Sequence, residues 1–169
     1  MTSDLADVSL EADGERWTLI FIRELRQAPG AVWAALTDPD ELDQWAPFAA
    51  VSDLGKLGET TLVMIDGEQR VDLPVTVLRA EPPALLEYTW GDDLLRWELA
   101  PSGGGTRLTL RHTLADRSMD AKVAAGWHLC VGVMQQLLDG TPVGVIRGQA
   151  AMAHGWAELS AAYADALNK

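Results

Sequence analysis

The hydrophobic period of this chain changes near Ser118, and that change limits what it can fold into. From Thr60 to His112 apolar residues recur at every second position, and after Ser118 they recur at three- and four-residue steps. A sheet comes first and one long helix must then lie on it, because each kind of element hides its apolar side chains on one face.

The alternating stretch divides at turn signals. "TTLVMI" closes at Asp66-Gly67, where a two-residue hairpin needs positive φ. "RVDLPVTVLRA" aligns Val71, Leu73, Val75 and Val77, and "EPPA" breaks it. "LLEYTW" aligns Leu86, Tyr88 and Trp90; after "GDD", "LLRWELA" aligns Leu95, Trp97 and Leu99; after "PSGGG", "TRLTLRHTL" aligns Leu108, Leu110 and His112. Pro74 lacks the N–H a central strand would use, so its strand belongs at an edge or a bulge.

Upstream, residues 1–15 show no sustained periodicity and read as a flexible arm. "RWTLIFIREL" reads as a strand covered on both faces over Leu19 to Ile22. "APGAVWAAL" and "TDPDELDQW" predict two short helices, the second capped by Asp38, with Pro39 in its first turn and Glu41 placed for a capping box.

Downstream, Ser118 is the expected cap of the long helix, and Gly140 with Pro142 the expected stop. Met119, Val123, Trp127, Cys130, Met134, Leu137 and Leu138 form the face that meets the sheet. Leu129 and Val133 widen the apolar surface, so a second cover is needed. A terminal helix with the stripe Met152, Trp156, Leu159, Tyr163 and Leu167 can supply it, against the flank of the long helix or against a partner subunit. Gly126 and Gly132 each cost about 1 kcal/mol relative to Ala within a helix, which predicts close backbone packing or a bend.

Several stretches, "APGAVWAALTDPDELDQW", "VLRAEPPALLEYTW", "WELAPSGGGTRLTLRHT" and "AAGWHLCVGVMQQLLDG", occur in an order that resembles the START-related SRPBCC superfamily and, within it, the branch of activator of heat-shock-protein ATPase homologue-like proteins. The resemblance implies an α+β helix-grip fold: a curved antiparallel sheet wrapped around a long C-terminal helix, with two short helices after the first strand and an extra terminal helix. The expected layout is an arm over 1–15, a helix-grip domain over 16–140 and a helical extension over 141–169 on the same domain. The superfamily includes lipid carriers, aromatase/cyclases, hydroxylase subunits and co-chaperones, so fold alone does not select among them.

Charge and residue counts exclude some partners. Thirteen basic against twenty-five acidic residues leave −12 in 169 residues, which repels nucleic acid and anionic membrane surfaces. One cysteine admits no internal disulfide and agrees with a cytoplasmic location. Three scattered histidines lack metal-ligand spacing, and no phosphate-binding loop is present, so neither a metal nor another cofactor is expected. A second copy of the chain, meeting the first through the terminal helix or a strand edge, is compatible with the pattern.

The inward-facing set is then the candidate site: Val75, Val77, Tyr88, Trp90, Leu95, Trp97, Leu108, Leu110 and His112 from strands, with Trp127, Cys130 and Met134 from the helix. If these face one another across a gap, they wall a pocket for a small hydrophobic molecule, aromatic or lipid-like. His112 could orient a ligand carbonyl or exchange protons near neutrality, or it could be a core-rim histidine satisfied by a backbone carbonyl or Tyr88; without a visible partner the second reading is favoured. Two alternatives to a carrier are a polyketide cyclase or hydratase using His112 with Tyr88 or Arg96, and a chaperone-associated module. The phase of the strand puts Arg96 on the face opposite Trp97, which weakens the first.

Overall fold

A computed structural model describes residues 5–167. Its strands are β1 (Asp7–Asp13), β2 (Arg16–Leu25), β3 (Phe48–Ala50), β4 (Gly58–Asp66), β5 (Gln69–Glu81), β6 (Leu85–Trp90), β7 (Asp93–Ser102) and β8 (Gly105–Leu114). Its α-helices are α1 (Pro29–Thr37), α2 (Pro39–Leu42), α3 (Asp120–Leu138) and α4 (Trp156–Leu167). The strands form one antiparallel sheet in the order β1-β2-β8-β7-β6-β5-β4-β3. With α3 lying on it, this is the helix-grip α+β fold.

The predicted N-terminal arm is corrected over most of its length. Asp7 to Asp13 pair with β2 from Asp7↔Ile22 to Asp13↔Arg16, and Val8 and Leu10 pack against the core. Residues 1–4 of that expected arm lie outside the described residues. The hairpin after β4 is shifted by one residue: Asp66 pairs with Gln69, so Gly67 (φ 61°) and Glu68 form the loop. Gly at the first central position marks a type II′ turn. Pro74 faces Thr61 of β4, beyond the point where β6 pairs with β5, so its missing N–H breaks no central ladder.

The ends of the helices also differ from expectation. Asp38 accepts a hydrogen bond from the Asp40 N–H, as a cap should. At the approach to α3, Asp116 takes the role expected of Ser118, accepting from both its N–H and its hydroxyl at a 3₁₀ turn over Arg117–Met119. Gly140 (φ 84°) ends α3 in a Schellman arrangement, with the Gly140 N–H donating to Leu137 O and the Thr141 N–H to Gln136 O.

The long helix is covered twice. One side packs on the sheet, where Val131 and Met134 are fully buried. The other receives α4, through Leu159 and Tyr163. The expected terminal stripe begins later than predicted: Gly148–His154 is a 3₁₀ segment in which Met152 is exposed, and α4 proper starts at Trp156. Neither Gly126 nor Gly132 is in tight contact, since a Cβ on either would meet nothing within 4 Å, and α3 runs unbroken through both. Close packing is therefore not what these glycines provide.

Candidate functional site

Strand alternation aims the aromatic side chains of β6, β7 and β8 at α3, and they interlock there. Trp97 meets Trp127 edge to face with ring centroids 5.3 Å apart, and Trp90 lies 5.5 Å from Trp127 and 5.7 Å from His112. Trp45 and Phe48, from the segment after α2, close the cluster against Trp97 and Trp90. The gap expected between sheet and helix is thus filled by rings, an arrangement that edge-to-face attraction favours over an empty slot.

Polar edges inside this cluster are paired. The Trp127 Nε1–H donates to His112 Nδ1 at 3.0 Å, and the opposite ring nitrogen, Nε2, donates to Asp93 Oδ2 at 2.5 Å. Acceptance at Nδ1 fixes the neutral imidazole with its proton on Nε2. The Ala115 N–H donates to the other carboxylate oxygen of Asp93 at 2.9 Å. Burial acts to raise the Asp93 carboxyl, but the hydrogen bonds from His112 and Ala115 and the nearby positive charge of Arg16 outweigh it, leaving it below the usual carboxylate value. The Trp97 Nε1–H donates to the Tyr88 hydroxyl at 3.1 Å, and burial pushes that phenol well above its ordinary range. His112 is fully buried with both ring nitrogens occupied. Its partners are a carboxylate and an indole, not Tyr88 or a backbone carbonyl.

The open space lies beside Trp127. A cavity of about 190 Å³ is bounded on α3 by Val123, Gly126, Trp127 and Cys130, and floored by Trp90. Its far wall is the C-terminal extension, through Ile146, Gly148, Ala151 and Trp156. Arg147 ties that wall to the body of the domain, donating to the carbonyls of Ala46 and Phe48 and pairing with Asp43. Trp156 is held by donation from its indole to Lys122 O at 3.2 Å. Gly126 faces this space, and its missing side chain helps keep it open. A second, wider cavity of about 380 Å³ adjoins it across Trp90 and Val123, with Met64, Leu114 and Met119 on its apolar walls and Asp92, Asp93 and Asp116 among its lining.

Of the twelve residues expected to wall a pocket, Trp90, Trp127 and Cys130 do so. Val75, Val77, Tyr88, Leu95, Trp97, Leu108, Leu110, His112 and Met134 are buried core and line neither cavity. Arg96 lies on the outer face, paired with Glu98 and Glu87. Sequence reasoning missed the extension as a wall, and Asp93 as the partner of His112. A signal for Asp93 exists, since it is in phase with Leu95, Trp97 and Leu99 and therefore points inward. Burial pushes the Cys130 thiol up to about 12, as expected for an inert buried cysteine. Among the described residues no cluster of potential ligands could hold a metal ion, and no helix is long and apolar enough to cross a membrane.

Residues 27–139, well over half the chain, match the family model described as activator of Hsp90 ATPase homolog 1-like protein. The chain belongs to that family. The activator-homologue-like module thus ends at the last turn of α3, and the outer wall of the inner cavity is contributed by residues that follow it. No curated protein matches the sequence significantly. Among solved structures, a conserved protein of unknown function from Enterococcus faecalis, EF2215, superposes with a TM-score of 0.71 at 16% identity, covering 94% of this chain and 88% of that one. CalU16 from Micromonospora echinospora gives 0.69 at 20% identity, covering 97% and 98%. DynU16, a protein of the dynemicin biosynthetic locus, gives 0.66 at 23% identity, covering 78% of this chain and 51% of its own. At these identities the likeness extends to the fold of the activator-homologue-like domain.

Proposed function

We propose that this protein binds a small apolar molecule, aromatic or lipid-like, in the cavity between α3 and the C-terminal extension. The observation that supports this is a cavity of about 190 Å³ lined by three indoles, with a glycine of α3 facing the open space. An apolar cavity of roughly 150 Å³ suffices for one benzene ring, so the inner space fits a single ring or a short acyl chain. A longer guest would continue past Trp90 into the wider cavity, whose carboxylates suit a polar end that donates hydrogen bonds. The helix-grip fold of the family supports a ligand-binding domain, and the occupied ring nitrogens of His112 give a cyclase or hydratase chemistry no free acid or base at that residue.

Native mass spectrometry of gently purified protein, followed by NMR titration with toluene and naphthalene, tests the reading. Shifts centred on Val123, Gly126 and Trp127, abolished by Gly126→Leu, are expected. Equal binding by Gly126→Leu, or no bound mass and no shift, would overturn it.

A further inference from the structure

The two cavities are connected by a chain of three side chains. Asp93 lines the outer cavity, Trp127 walls the inner one, and His112 lies between them, buried, bonded to each through a different ring nitrogen. Every link is directional. The carboxylate accepts from Nε2–H, which leaves Nδ1 unprotonated and able to accept from the indole, and that in turn sets the angle at which the Trp127 ring faces the inner space. We infer that Asp93 is a positioning residue: acting through His112, it fixes the orientation of Trp127 and hence the shape of the inner cavity, so that a group engaging Asp93 in the outer cavity is felt at the inner wall.

This inference rests on the proposed binding reading for its consequence, while its geometry stands without it. The backbone reinforces the arrangement. Ala115 N–H holds the second Asp93 oxygen, so the carboxylate cannot swing away without breaking two bonds. Asp93 and His112 come from adjoining strands, with His112 opposite Leu95, two residues along β7 from Asp93 and on the same face. Trp90 packs at a tilt against both His112 and Trp127, so reorientation of either ring is communicated to the partition between the cavities.

The test uses the full chain with Asp93→Leu, which removes the acceptor, and Asp93→Asn, whose carbonyl oxygen still accepts. Two readouts need no guest: the nitrogen shifts of the His112 ring, which report the tautomer, and the indole N–H resonance of Trp127, identified by its loss in Trp127→Phe. The third is the affinity for naphthalene. Asp93→Leu should mix the His112 tautomers, move the Trp127 resonance and weaken naphthalene binding about tenfold, the scale of one buried hydrogen bond to a charged group. Asp93→Asn should recover most of the affinity, to within about threefold of wild type. An unmoved Trp127 resonance in Asp93→Leu, or unchanged affinity despite a moved resonance, would overturn the inference. If Asp93→Leu does not fold, Asp93→Ala, which also lacks the acceptor, takes its place, and a Trp127 resonance unmoved in that variant overturns the inference. Failure of wild type to bind either toluene or naphthalene defeats the binding reading alone, because the ring-nitrogen and indole signals still decide whether Asp93 governs Trp127.

Discussion

The Tyr163 hydroxyl on α4 stands 2.7 Å from His128 Nδ1 on α3 and accepts the backbone N–H of Ala6 at 2.9 Å, while an Arg23 N–H reaches the same His128 nitrogen from β2 at 3.3 Å. Since Arg23 can only donate, Nδ1 is an acceptor and Tyr163 gives it its proton. One small network therefore joins the terminal helix, the long helix, the second strand and the start of the chain. Burial, aided by the charge of Arg23, lowers His128 to about 4.

The sign of the pH dependence follows. His128 binds its proton more readily unfolded than folded, so lowering the pH favours the unfolded chain from about 6.5 down to about 4, and above that window the group contributes no slope. Asp93, held below its usual value, contributes stability that is lost only at more acidic pH. Melting temperature followed by circular dichroism should fall between pH 6.5 and 4 in wild type and fall less in His128→Gln. Parallel curves for the two would contradict the role given to His128.

Removing the indole donor of Trp127 leaves His112 Nδ1 buried and unpaired. Trp127→Phe should lower stability by about 1–3 kcal/mol in urea unfolding, with the slope of the transition unchanged.

Glycines of similar appearance should respond in opposite directions. Gly126→Ala points a methyl into open space and gains helix propensity, so stability should rise by up to about 1 kcal/mol while the inner cavity shrinks. A Cβ on Gly105 would collide with the Leu25 carbonyl oxygen, so Gly105→Ala should cost about 1–3 kcal/mol, read by the same denaturation.

Cys130 should resist alkylation by iodoacetamide at neutral pH in the folded protein and react at once in denaturant, because its buried thiol ionises only near 12. Mass spectrometry of the intact chain with time gives the result directly.

Deleting residues 148–169 uncovers the apolar flank of α3 around Leu129 and Val133, and the truncated chain should aggregate. Light scattering checks this. Tyr163→Phe provides a milder version, since it keeps the ring against Phe21 but gives up two hydrogen bonds.

Some of these features could be read from the sequence. Period-two alternation placed Leu95, Trp97, Leu108 and Leu110 inward, and the change of period at Ser118 located α3, because those patterns are set by local geometry. The position of the empty space could not be read, since alternation says which way Trp97 points and nothing about whether Trp127 fills the place opposite. Asp93 was obscured by its neighbours: Gly91 and Asp92 explain a turn by themselves, and the carboxylate's partner lies on another strand, 19 residues on. The first strand escaped notice because a short run, Val8, Leu10, Ala12, gains its order from pairing with β2.

The outer wall of the inner cavity begins at Ile146, seven residues past the end of the stretch that defines the family. If that cavity holds a guest as proposed, substitutions at Ile146, Ala151 and Trp156 would alter which guest is admitted while the interlocked tryptophans beneath stay untouched. The selectivity of such a pocket would then reside in the residues after Asp139, outside the stretch by which the family is recognised.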